Sequence, residues 1–217
     1  MNIKLKKIIF YSKTILENKI DVNENILYEG EIIKGTNIKN GKGIEYKINF
    51  DDYIFIGEYL NGKRWNGKVK EYNDDGEIEF EGEYLNGKRW NGKVKEYNYN
   101  GKLIFEGEYL NGERNGEGKE YYKYNSKLIY EGGYLNGKKH GKGKEYYPYN
   151  GKLIFEGEYL NGERHGKGKE YDIWNGKLKF EGEYLNGKRW NGKVKDYYYK
   201  SDNLSFQGEY LNGERHG

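Results

Sequence analysis

Residues 62–68 read Gly-Lys-Arg-Trp-Asn-Gly-Lys, most of a phosphate-cradling loop, and residues 87–93 and 187–193 repeat the same string. A working loop of that type continues into Ser or Thr, which holds magnesium, and opens a helix. Here Val69, Val94 and Val194 follow, inside a pattern that joins two strands, so nucleotide binding is not expected. The histidines His140, His165 and His216 share one phase of an internal repeat, which would set neighbours about 10 Å apart across two strand spacings. Zinc ligands must converge to about 2 Å from one ion, so these read as solvated turn residues and not as a metal site. Carboxylate pairs such as Glu106 and Glu108 recur in nearly every unit, whereas an acid–base pair needs two different environments in one pocket. They read as a charged face laddered against lysines. With no catalytic, cofactor or metal constellation that occurs only once, an enzyme is not expected.

Two rows of side chains are better candidates. Lys63-Arg64-Trp65, Lys88-Arg89-Trp90, Lys138-Lys139 and Lys188-Arg189-Trp190 line one rim. Cations beside Trp suit an anionic lipid or phosphate surface, each basic residue contributing about 1 kcal/mol near acidic lipid. Simple solvation of turns is the other reading, and Glu113, Glu163 and Glu214 dilute the positive field. On the opposite rim Tyr99, Tyr124, Tyr149, Trp174 and Tyr199 recur every 25 residues. Such rings are common partner anchors, repeated so that one partner meets several equivalent contacts, or else they cover the ends of the apolar face.

The elements that position these rows follow from the whole sequence. Of 217 residues, 35% are hydrophobic and 34% charged, yet 17% are aromatic, with Tyr far ahead at 25. Disordered chains lack aromatics, and a deep catalytic core needs more aliphatic residues, so burial must come from rings on something thin. Lys+Arg 38 against Asp+Glu 35 gives +3, too small and too interspersed for a nucleic-acid partner. With Cys 0, neither a disulfide framework nor a thiolate site exists. Residues 1–27 place Lys4, Lys6 and Lys7 before Ile8, Ile9 and Phe10; the apolar run is too short for a membrane span and lacks a cleavage site. They read as an N-terminal cap over the first strand edge, with a weak basic membrane anchor as the sharper alternative, and a cytoplasmic chain, at most peripheral to membrane or cytoskeleton, is expected.

The remainder, 28–217, is a repeat array. Gly-Glu-Tyr-Leu-Asn-Gly or a near copy begins at Gly57, Gly82, Gly107, Gly132, Gly157, Gly182 and Gly208, at spacings of 25 residues and a last one of 26; with a weaker copy at Tyr28 this makes eight units, the last stopping at Gly217. Leu103, Phe105, Gly107 and Tyr109 alternate with Ile104, Glu106 and Glu108, which is the period of a strand with one apolar and one charged face. Asn111-Gly112 supplies a tight turn, and a second, less clearly patterned strand returns, re-phased by a bulge. Units with Arg-Trp-Asn-Gly are read as having one more residue in this first turn, offset in the handover to the next unit. The expected fold is all-β: an elongated, twisted single antiparallel sheet of tandem β-hairpins, fifteen strands with a period of about 25 residues and no central core. Its stability would come from one ring row (Phe80, Phe105, Tyr130, Phe155, Phe180, Phe206) and another (Tyr84, Tyr109, Tyr134, Tyr159, Tyr184, Tyr210). Gly82, Gly107, Gly132, Gly157, Gly182 and Gly208 between them would let rings lie over bare backbone.

The unit at 155–171, Phe-Glu-Gly-Glu-Tyr-Leu-Asn-Gly-Glu-Arg-His-Gly-Lys-Gly-Lys-Glu-Tyr, closely resembles the membrane occupation and recognition nexus (MORN) repeat. It has Tyr159 where many members have Trp, and a longer period. The resemblance implies a twisted antiparallel sheet acting as a scaffold or adaptor, often dimeric, with phosphoinositide binding in some relatives. Three partner classes are therefore expected: proteins, an anionic membrane surface, and a second copy paired through the open C-terminal edge that the last unit leaves.

Overall fold

The computed structural model describes residues 10–11, 14–21, 26–47, 53–73 and 75–217. The basic start at Lys4, Lys6 and Lys7, with its membrane-anchor alternative, lies outside them. Among the described residues every element is a strand. They fall into two compact units, 1–93 and 94–217.

The first unit contains β1 (Phe10–Tyr11), β2 (Thr14–Asp21), β3 (Ile26–Ile33), β4 (Lys39–Lys47), β5 (Tyr53–Leu60), β6 (Lys63–Tyr72) and β7 (Ile78–Leu85). Each pairs antiparallel with the next, and β2 lies along β3 from Thr14↔Ile33 to Asp21↔Ile26. β8 (Lys88–Tyr97) carries the chain across the boundary. The second unit continues with β9 (Leu103–Leu110), β10 (Glu113–Tyr121), β11 (Leu128–Leu135), β12 (Lys138–Tyr146), β13 (Leu153–Leu160), β14 (Glu163–Tyr171), β15 (Leu178–Leu185), β16 (Lys188–Tyr197), β17 (Leu204–Leu211) and β18 (Glu214–His216), where from β10 on each is antiparallel to its predecessor. The fifteen expected strands are β3 to β17; β1, β2 and β18 are additional. The expectation that the last long strand lacks its hairpin partner is corrected in part, because β18 pairs with Glu209–Leu211 of β17.

Whereas β3 and β4 are joined by the longer turn 34–38, from β5–β6 onward each hairpin closes on Asn-Gly with both residues at positive φ, for example Asn161 at 54° and Gly162 at 94°. That is the two-residue turn whose twist matches the strands, and Asn and Gly tolerate it best. This turn has the same length in every unit from β5–β6 onward. The extra residue of the Arg-Trp-Asn-Gly units sits inside the return strand, since β6, β8 and β16 have 10 residues and β10, β12 and β14 have 9. The assignment to the first turn is therefore corrected: a bulge absorbs the residue, as at the register shift between Glu58 and Tyr59 along β5–β6. A bulge can take up a residue locally and leave the pairing on either side intact.

Burial follows the alternation. Phe55 and Phe80 in the first unit, and Phe105, Tyr130, Phe155 and Phe180 in the second, are fully buried, and Tyr59, Tyr134, Tyr159 and Tyr184 nearly so. The rings meet edge to face: Phe155 with Tyr159 at 5.5 Å and with Tyr184 of the next hairpin at 5.2 Å. The glycine rows make room for them. A β-carbon on Gly157 would fall 2.6 Å from the Phe155 ring and 2.7 Å from the Lys167 carbonyl oxygen, and one on Gly168 would fall 2.7 Å from Phe155 and 3.2 Å from Tyr184. Glycines also pair across strands, Gly157↔Gly168 and Gly168↔Gly182, so the bare-backbone row continues from strand to strand.

Candidate binding surfaces

Burying a ring sheet this thin leaves its edges to be sealed, and the second residue of each basic turn does that. Arg114 lies 3.9 Å over Phe105, Lys139 4.1 Å over Tyr130 and Arg164 4.1 Å over Phe155. A cation on a ring face is attracted by the ring quadrupole. The same cations reach back to a carboxylate on the preceding hairpin: Arg64 to Glu45 at 2.6 Å, Arg114 to Glu96 at 2.7 Å, Lys139 to Glu120 at 3.2 Å, Arg189 to Glu170 at 2.7 Å, and Arg89 and Arg164 to Glu71 and Glu145. The stacked tyrosine of the unit joins in, as when Tyr159 donates to Glu145 at 2.8 Å and Tyr184 to Glu170 at 3.0 Å. Burial pushes the Glu45 and Glu170 carboxyls up, but the guanidiniums of Arg64 and Arg189 overcome it and hold both below the usual carboxylate range. Arg64, Arg89, Lys139 and Arg189, four residues of the predicted lipid rim, are thus engaged in cross-hairpin clamps.

The rest of that rim divides. Lys63, Lys88, Lys138 and Lys188 are exposed. Trp65, Trp90 and Trp190 are half-buried, and a β-carbon on Gly87 would touch the Trp65 ring at 3.5 Å, so Trp65 packs beside the next turn. The turns are also bonded to one another, Gly87 N–H donating to the Trp65 carbonyl at 2.8 Å and Gly162 N–H to that of Lys139 at 2.9 Å. His140 and His165 stand at the equivalent position of their strands, half-buried.

On the other face of the second unit the two rows of charged side chains border a cleft of about 900 Å³. Its floor is backbone, at Gly107, Gly118, Gly132, Gly143, Gly157, Gly168 and Gly182. Along one wall the register alternates sign: Lys119 faces Glu106 and Glu131, Lys144 faces Glu131 and Glu156, Lys169 faces Glu156 and Glu181. Tyrosines aim these carboxylates, Tyr121 donating to Glu106 at 2.5 Å, Tyr146 to Glu131 at 2.6 Å and Tyr171 to Glu156 at 2.6 Å. Sequence reasoning found the Glu–Lys ladder but missed the cleft. No linear signal marks it, because the β-carbons that Gly157 and Gly168 lack would point to the ring face and not into the cleft.

The predicted aromatic rim is the handover side of the second unit. Tyr99, Tyr124, Tyr149 and Tyr199 are 95%, 61%, 63% and 71% exposed, and Trp174 is at the edge of exposure. The backbone beneath is cross-linked: Asn125 Nδ2 donates to the Pro148 carbonyl at 3.1 Å, Asn150 to Ile173 at 3.1 Å, Asn175 to Ser201 at 2.8 Å, and Lys127 Nζ to Tyr149 at 2.7 Å.

Comparison with known families matches the MORN repeat at residues 105–123, 130–148, 155–176 and 206–217. Each match opens on the inward ring of a unit, the buried Phe105, Tyr130 and Phe155 and the half-buried Phe206. The unit from Phe180 lies outside the matched segments but keeps the same construction, with Arg189 at 5.0 Å over Phe180 and paired to Glu170. Among curated proteins the comparison gave no match. Hairpins of one plan recur through both units, and the four matched segments between Phe105 and Gly217 show that this chain carries MORN repeats.

Proposed function

We propose that this chain is a non-enzymatic scaffold that holds a segment of another protein in the glycine-floored cleft of its second unit. The observation that carries the reading is the cleft itself, whose walls present the same Glu and Lys groups at successive strands. A partner lying along it meets a row of equivalent charge-assisted contacts, and avidity accumulates from individually weak ones. No side chain in the cleft is singled out by an environment of its own, as acid–base chemistry demands. The test is a photo-crosslinking residue at Lys144, on the wall, in the full chain. A discrete protein adduct is expected, lost when Lys119 and Lys169 are both changed to Glu; an adduct indifferent to those reversals would defeat the reading.

A second reading, a peripheral adaptor on anionic lipid, is favoured by one observation. In the first unit the exposed Lys63 pairs in register with the exposed Leu60, and in the second Lys138 and Lys188 pair with the exposed Leu135 and Leu185, each an apolar-plus-cationic turn suited to a membrane surface. Sedimentation with phosphoinositide vesicles at physiological salt separates the two: salt-resistant, headgroup-specific binding, abolished by Lys→Glu at these three positions, would put lipid first.

A further inference from the structure

The handover rim of the second unit is a different surface from the cleft. Its rings come in tilted pairs: Tyr122 meets Tyr124 at 5.2 Å and 72° and Tyr149 at 5.8 Å and 67°, Tyr147 meets Tyr149 at 5.4 Å and 58°, and Trp174 meets Tyr199 at 5.2 Å and 78°. Rings at such angles form notches, unlike the flat platform that a sugar ring stacks on. A ring stands at each successive handover, Tyr124, Tyr149, Trp174 and Tyr199, paired within its handover at the first two and with the following one at Trp174, and a hairpin advances the rim by two strand spacings, about 9.4–9.8 Å. A polyproline II helix advances three residues per turn at 3.1 Å each, about 9.3 Å.

Charge selects further. The rim carries Lys102, Lys123, Lys127, Lys152, Lys177 and Lys200 against Asp172 and Asp202. Lys200 Nζ sits 4.9 Å from the Trp174 ring and 5.1 Å from that of Tyr199, and Lys123 Nζ sits 4.9 Å from Tyr124, so cations flank the notches. Acidic residues between the prolines would meet them. The rim also comes preorganised, because Asn125, Asn150, Asn175 and Lys127 tie each handover to the next, which lowers the ordering cost of binding. Finally, a polyproline II segment has no internal hydrogen bonds, and its bare carbonyls can accept from the Tyr hydroxyls and the Trp174 indole N–H.

We propose that the tyrosine and tryptophan notches along Tyr122, Tyr124, Tyr147, Tyr149, Trp174 and Tyr199 dock a proline-rich, acidic protein segment in the polyproline II conformation, one turn per hairpin. The inference stands independently of the cleft's occupant. Its test is fluorescence anisotropy of the full chain with a labelled peptide of five Pro-Pro-Glu triplets, beside one of five Gly-Gly-Glu triplets carrying the same charge. Saturable binding of the first is expected, with the second weaker by about tenfold or more, as loss of the preformed helix and its ring contacts requires. Tyr149→Ala and Trp174→Ala are each expected to weaken binding about tenfold, and Tyr149→Phe much less, since these exposed rings act as anchors and not as core. Equal binding of both peptides would reduce the rim to an electrostatic surface and overturn the proposal. So would indifference to the two alanine variants, absence of binding at millimolar peptide, or capture of a linear polysaccharide or anionic vesicles in place of the peptide.

Discussion

A single residue in this protein carries two duties that its neighbours in sequence do not. Arg164 seals the Phe155 ring at 4.1 Å and pairs with Glu145 of the preceding hairpin. Burial would lower its pKa, but the Glu145 carboxylate holds it above the ordinary guanidinium value. Its partner is a quarter exposed or less, so removing the cation strands a carboxylate that is largely out of water. Arg164→Ala is expected to cost about 1–3 kcal/mol, between the exposed and fully buried cases. Arg164→Lys should recover only part, because an ammonium cannot lie flat on the ring and bond the carboxylate side by side. Urea denaturation of both variants checks this; equal midpoints for Ala and Lys would remove the stacking half of the account. The Lys-Arg pairs were legible as basic turn residues, but their division was not. Whether a rim cation faces solvent or folds over a ring depends on strand phase, and only the first of each pair, such as Lys63, points outward.

At the scale of the strand pair, the glycine row decides whether rings and backbone can share one layer. A β-carbon on Gly107 would fall 2.7 Å from the Phe105 ring and 3.0 Å from both the Glu117 carbonyl oxygen and Gly118 Cα. Backbone on the paired strand cannot retreat without breaking the ladder. Gly107→Val is therefore expected to destabilise by about 1–3 kcal/mol, the cost of overpacking, read as a fall in thermal midpoint; an unchanged midpoint would sink the packing role. How much of this was legible follows from which signals are local. The first strand of each hairpin, its buried face, the Asn-Gly turn and the ring–glycine–ring order were all readable, because alternation and turn chemistry are properties of adjacent residues. The return strand was not. Arg164 pairs with Tyr159 while Gly168 pairs with Gly157, so four residues of β14 span two of β13. That slippage is set by the rings beneath, which a linear pattern does not display. The cleft was hidden for the same reason, being the far side of a glycine row whose near side was the one being read.

At the scale of the molecule, stability is a sum of like contributions, and so is its response to pH. Burial, helped by carboxylates nearby, pushes the Tyr84, Tyr146 and Tyr171 hydroxyls up to about 12. A raised folded-state pKa contributes stability that is complete below the unfolded value of about 10 and disappears as pH climbs through the folded one. On the acid side the depressed carboxyls of Glu45, Glu106 and Glu170 contribute above the unfolded value and lose that contribution as pH falls through their folded ones. Thermal midpoints followed by circular dichroism should show a plateau from about pH 5 to 9, falling on both sides. A midpoint that keeps rising from pH 9 to 12 would contradict the buried tyrosines. The clamps have one more consequence. Since each hairpin offers a carboxylate forward and a cation backward, Glu120 would accept Arg164 as readily as Lys139, and any hairpin of the second unit can follow any other. Residues 80–95 and 180–195 are already identical. Whole hairpins can therefore be gained or lost with no mismatched junction, so that close kin of this chain should differ in length by multiples of about 25 residues.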